Sequence, residues 1–270
     1  MVQASSLGRS AGPVAAWRSV MLVLALGQVA SSVLSRLYGG EFTTADRPGE
    51  PPIVPVGWAF SIWTLVELLC IAYALWALPE RRPDSDVRNQ LAVPLCLVFT
   101  GFSCWLVAAE VAPVWGTVAV FAVMIFGLVR AMSVALEHRV TIASWRPVPR
   151  ALLWWMLGVY TGWSTIAVWV NLTTAAAGSG APVAGTTGVA AQLAVLAGAT
   201  ATAVVILRWT RGLLPYALAA GWGLLTAMLG AASAGQPVLS GAAAAGFVVV
   251  AGATAVARRE RAVRDPEEGP

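Results

Sequence analysis

The sequence predicts an all-α, polytopic bundle that crosses a membrane about eight times. Of its 270 residues 58% are hydrophobic and 11% charged, and the mean hydropathy is +0.75. The charges gather in short stretches between apolar runs of about 20 residues, the length a helix needs to cross a hydrocarbon core roughly 30 Å thick. A water-soluble domain of this size cannot present so much apolar surface, so the chain must meet lipid. The isoelectric point near 9.4 does not indicate nucleic acid. Every basic side chain is an arginine, most lying between the spans, with no basic patch interleaved with aromatics.

Residues 1–13 read as a short disordered tail. The first span is expected near Val14–Leu37. It is taken as a retained helix and not a signal peptide, because its apolar run continues past the small residues near Ala30. A loop bearing Glu41, Asp46, Arg47 and Glu50 leads to a second span near Ile53–Leu78, entered through Pro51, Pro52 and Pro55. Started near Pro55, that helix carries Glu67 about 18 Å along at roughly 1.5 Å per residue, close to mid-membrane. An ionisable side chain there is costly and marks a functional position by default. Glu80, Arg81, Arg82, Asp84, Asp86 and Arg88 form the next loop. Spans near Leu91–Ala109 and Val114–Leu136 follow as an antiparallel hairpin.

His138 reads as an interfacial residue ahead of an arginine-bearing loop, and a fifth, aromatic span runs near Ala151–Leu172. Residues 176–187, uncharged and rich in Ala, Gly, Ser, Thr and Pro, read as a flexible linker. Three Ala/Gly-rich spans are expected near Gly188–Leu207, Leu213–Ala234 and Val238–Ala257, then a charged tail over 258–270. The domains are thus a five-helix core, 14–175, and a three-helix extension, 188–257. With eight spans, fifteen of the seventeen basic residues share one side and only Arg36 and Arg47 lie on the other. By the positive-inside rule both termini are then cytoplasmic.

Eleven of the thirteen tryptophans precede the linker. An interfacial belt suits Trp17, Trp76, Trp115, Trp145 and Trp209, but Trp63, Trp105 and Trp163 fall well inside their spans. There they either pack between helices or line a pocket for a flat apolar ligand. Phe60, Trp63, Glu67 and Cys70 share one face of the second span. Tyr160, Ser164, Ala167 and Asn171 share one of the fifth, with Trp163 beside it. The three cysteines fall in spans without metal-ligand spacing and are expected as free thiols, with no metal site.

The segment Trp58-Ala59-Phe60-Ser61-Ile62-Trp63-Thr64-Leu65, preceded by its prolines, resembles the second helix of the TspO/MBR family. These are the tryptophan-rich sensory proteins related to the mitochondrial translocator protein. Tyr160, Trp163, Ala167 and Asn171 are similar to the family's fifth-helix pattern, and Trp105 resembles a further family tryptophan. The resemblance covers residues 14–172. It departs at Glu67, where the family usually has tyrosine, at Phe102, near the place of a family asparagine, in a first loop without the usual Trp-Tyr and Lys-Pro pattern, and in the three additional helices.

The resemblance implies a pocket lined by the Trp163 and Ala167 positions, with porphyrin or sterol-like ligands. Phe60, Trp63, Glu67, Trp105, Tyr160, Trp163, Ala167 and Asn171 are therefore the expected ligand-binding set. The flat ligand stacks on the tryptophans, and Glu67 meets a pyrrole N–H or another polar edge. No cofactor is required on this reading, a porphyrin being a ligand, and no internal histidine offers axial ligation to haem iron. The expected partners are a hydrophobic small molecule and the lipid bilayer, in a bacterial cytoplasmic membrane, with no nucleic acid; a monomer and a homodimer both stay open. The alternative is a proton-coupled secondary transporter using Glu67. A third reading, an intramembrane enzyme, lacks a recognisable catalytic constellation.

Overall fold

The computed structural model describes residues 13–38, 49–79, 85–111 and 114–264. Among them lie the helices α1 (Pro13–Tyr38), α2 (Ile62–Ala77), α3 (Ser85–Val111), α4 (Gly116–Glu137), α5 (Arg139–Ala143), α6 (Pro147–Gly178), α7 (Gly185–Trp209), α8 (Leu214–Ser233) and α9 (Pro237–Arg264). A single 3₁₀ turn, Gly57–Ser61, precedes α2. Among the described residues, eight stretches are long and apolar enough to cross a membrane, the 3₁₀ turn and α2 forming one of them. The protein is an integral membrane protein of the all-helical class.

Several boundaries differ from the sequence reading. The second helix does not begin at Ile53. Residues 51–56 stay extended or turned, because proline lacks the N–H a helix needs and biases the residue before it away from helical angles. Glu67 consequently sits in the second turn of α2. The expected linker is shorter at both ends, with 176–178 inside α6 and 185–187 inside α7. The alanines at 175–177 extend α6, whereas Gly180 and Gly185 adopt positive φ and bound the turn. The expected tail is helical through Arg264, since Ala, Arg and Glu are good helix formers and no Gly or Pro interrupts them. Of the expected N-terminal tail only Pro13, which opens α1, is described; residues 1–12, 39–48, 80–84, 112–113 and 265–270 lie outside the described residues.

Two apolar clusters form the interior. The first joins α1 to α4 and α6 and is dense in rings, among them Trp63, Tyr73, Phe99, Phe102, Trp105, Phe121, Tyr160 and Trp163. The second joins α7, α8 and α9 through Leu196, Ala199, Ala203, Leu224, Ala227 and Ala243, and takes in Ile53 and Ile166 from the first half.

The most enclosed span, α6, lies between them. Its Tyr160 and Trp163 face the rings. Gly158 and Gly162, four residues apart, face α8 instead. A Cβ on Gly158 would lie 2.7 Å from the Pro215 side chain, and one on Gly162 would meet the Tyr216 carbonyl oxygen. This spacing of small residues lets two membrane helices approach backbone to backbone.

The C-terminal end of α2 is capped by cations. Arg88 of α3, fully buried, donates from Nη1 to the Ala77 and Pro79 carbonyls at 2.7 and 2.8 Å. Arg18 of α1 donates to the same two oxygens at 3.4 Å. A positive charge at a helix C-terminus answers both the unpaired carbonyls and the dipole. His138, between α4 and α5, places Nε2 3.2 Å from Gln90 Oε1.

Candidate functional site

Trp63 opens α2 and stands at the centre of the first cluster. Its ring lies 4.9 Å from Phe102, 5.7 Å from Trp105, 5.8 Å from Tyr160 and 6.1 Å from Trp163, centroid to centroid. Most of these contacts are edge-to-face, the arrangement that sets the positive edge of one ring on the negative face of the next. Phe60, on the 3₁₀ turn, meets Trp163 at 5.6 Å, and Trp105 meets Phe121 of α4 at 5.3 Å.

Beside this cluster lies a small recess, partly open to the outside, with a cavity volume of about 20 Å³. It is lined by Pro55 and Phe60 from the segment before α2, Trp63 from α2, Trp105 from α3, and Trp163, Ile166, Ala167, Val170 and Asn171 from α6. That is room for about one water and far below the roughly 300–1,000 Å³ of typical small-molecule sites. Its tryptophans are almost fully buried against one another, Trp163 at 1%, Trp105 at 5% and Trp63 at 7% exposure. A flat macrocycle therefore enters only as rings or a wall move aside.

Polarity in the recess is sparse and largely spent internally. Asn171 Oδ1 accepts from Trp105 Nε1 at 3.2 Å, and its Nδ2 donates to the Ala167 carbonyl at 2.8 Å. That pairing ties α3 to α6 across the recess. The buried indole N–H groups of Trp63 and Trp163 have no hydrogen-bond partner among the described residues.

Six of the eight residues expected from sequence thus meet at one place: Phe60, Trp63, Trp105, Trp163, Ala167 and Asn171. Tyr160 lies one turn before Trp163, under Trp63, with its hydroxyl accepting from Gln28 Nε2 of α1 at 3.0 Å. Glu67 is buried but lies outside the lining, its carboxylate accepting a hydrogen bond from the Ser32 hydroxyl of α1. Gln28, Ser31 and Ser32 form one polar face of α1, with Ser31 also 3.1 Å from Ser103 of α3. Ser164 is fully buried and not part of the lining.

Sequence reasoning did not single out Pro55, Ile166 or Val170 for the lining. Ile166 and Val170 carry the period of Trp163, Ala167 and Asn171 on α6, which is the signal that finds them. The cysteines are free, Cys70 and Cys96 buried and Cys104 exposed on α3.

The fold and recess define a polytopic helical membrane protein with an aromatic-walled cavity between its second, third and sixth helices. The chain belongs to the TSPO-like protein family, whose profile matches residues 15–256. The match takes in α7, α8 and most of α9 as well as the aromatic half. No curated protein and no solved structure matches the chain.

Proposed function

We propose that this protein binds a hydrophobic planar ligand, a porphyrin or other tetrapyrrole or a sterol-like molecule, and acts as its sensor or carrier. The observation that carries the reading is the recess itself, with four aromatic walls and one amide already paired to an indole. Such a surface rewards flat apolar area and selects little by hydrogen bonding. On this reading the protein is a binding protein and not an enzyme, requires no cofactor, and sits with both termini in the cytoplasm.

Titrating the purified protein with protoporphyrin and with a sterol, while following tryptophan fluorescence, tests it. Saturable quenching that weakens in Trp163→Leu is the expected result. Quenching by neither ligand, or an unchanged titration in the variant, overturns the reading.

A second reading draws on Glu67. Its carboxylate is held by Ser32 between α1 and α2, on a seam distinct from the recess lining, and buried intramembrane acids commonly serve proton coupling. Proton-dependent uptake of a porphyrin into proteoliposomes, abolished by Glu67→Gln, is the result this reading requires.

A further inference from the structure

The recess has one wall that is not an α-helix. Residues 51–61 pass from the first loop into α2 as an extended strap closed by the 3₁₀ turn, and Pro55 and Phe60 on it face the cavity. The other walls belong to α2, α3 and α6, whose backbones are bonded within their own helices and whose rings interlock. The strap has few such bonds. Its Val54 and Ala59 amides close local turns onto Pro51 and Val56. Beyond such local turns, its hydrogen bonds to other helices among the described residues run to α7 and α8.

Ile53 N–H donates to Oε1 of the buried Gln192 on α7 at 3.3 Å. Val56 N–H donates to the Thr226 carbonyl on α8 at 3.4 Å. Trp222 Nε1 of α8 donates to the Ala59 carbonyl at 3.1 Å. The Trp222 ring also stands edge-on to Trp58 at 5.3 Å. Gly230 admits the strap's Val54 carbonyl so closely that a Cβ there would collide with it. Two of the three inter-segment bonds are long, near the limit at which a hydrogen bond counts. The Trp222 bond is the shortest of the three and lies next to Phe60.

We infer that Trp222 is a positioning residue for the recess, latching the strap from α8 so that Pro55 and Phe60 stay against Trp163. The strap is then the wall that yields when a ligand passes, and the C-terminal helices set how readily it yields. The link from latch to ligand rests on the binding function proposed above; the latch itself does not. Gln192 is the second anchor, acting from α7 at the far end of the strap.

Hydrogen–deuterium exchange of the full-length protein in detergent micelles, read by mass spectrometry, tests the latch without any ligand. Trp222→Phe keeps an aromatic ring facing Trp58 but removes the N–H together with one ring of the indole. Loss of one such bond is expected to speed exchange of peptides covering 51–61 by roughly three- to tenfold, with α3 and α4 peptides unchanged. Dissociation of protoporphyrin, followed by stopped-flow fluorescence, is expected to quicken alongside it.

Strap exchange at the wild-type rate overturns the inference. Equal acceleration across all peptides does so too, because Trp222 then serves only general packing. Should Trp222→Phe fail to fold, Gln192→Met decides in the same assay, local acceleration supporting the latch and none refuting it. If the strap loosens but the wild-type protein shows no saturable quenching, the ligand reading falls and the latch stands.

Discussion

The two apolar clusters are built on opposite rules. Around Trp63 the interior is filled by large rigid rings from four helices, whereas around Ala203 and Ala227 it is filled by alanine, leucine and glycine. Small side chains let helix axes come close and close the gap with backbone, as at Gly223, where a Cβ would lie 2.9 Å from Ile166. Rings hold helices further apart and tile imperfectly, and the recess lies among them. The aromatic half therefore leaves a small recess and the other packs backbone against backbone, with α6 carrying both rules on opposite faces.

The contrast can be broken most forcefully at Gly162. Valine there drives a branched side chain into the Tyr216 backbone, where overpacking costs about 3 kcal/mol, the upper end of its usual range, because backbone yields little. Loss of the monodisperse peak in size-exclusion chromatography is expected; a native elution profile and melt would mean α6 and α8 are not in close contact. Next in size is Trp163→Leu. Removing an aromatic partner worth about 0.5–1.5 kcal/mol per ring pair is expected to weaken porphyrin quenching by about tenfold while the α6–α8 contact, and so the fold, survives.

Glu67→Gln sharpens the division within the aromatic half. Exchanging the charge-assisted bond from Ser32 for a neutral one is expected to lower the stability of α1 docking by about 1 kcal/mol, read as a lower melting temperature. Porphyrin affinity should not change, since the carboxylate lies outside the recess lining. Weakened binding would return Glu67 to the site. The smallest effect is expected for Gly252→Ala in α9. A Cβ there meets nothing within 4 Å, so the melting temperature should stay level or rise slightly with the better helix former.

Much of this was readable in the sequence because the bilayer fixes the length of every span and the helix fixes its period. Phe60 and Trp63 on one segment, and Trp163, Ala167 and Asn171 on another, share faces by spacing alone, and they do converge. Glu67 was harder to place. One turn beyond Trp63, the side of α2 that carries Glu67 meets α1, where Ser32 takes the acid. The sequence pattern on α1, with Gln28, Ser31 and Ser32 on one side, held the missing partner. The strap's prolines were visible, yet its anchor Trp222 lies 163 residues away from Ala59, and no local pattern links such positions. Alanine-rich composition also hid where α6 ends, because the same residues suit a linker and a helix.

The hydrogen bond between Ser32 and Glu67 has a consequence for biogenesis. Chains enter the bilayer from their N-terminus, so α1 is already in place, with its amide and hydroxyls along one side, when the acid of α2 arrives. An unaided carboxylate at the centre of a span raises the insertion free energy by roughly 2.5–3.5 kcal/mol. Here the earlier helix offers that group a donor at the moment of its entry. The order of the genetic message thus delivers the solvent before the solute.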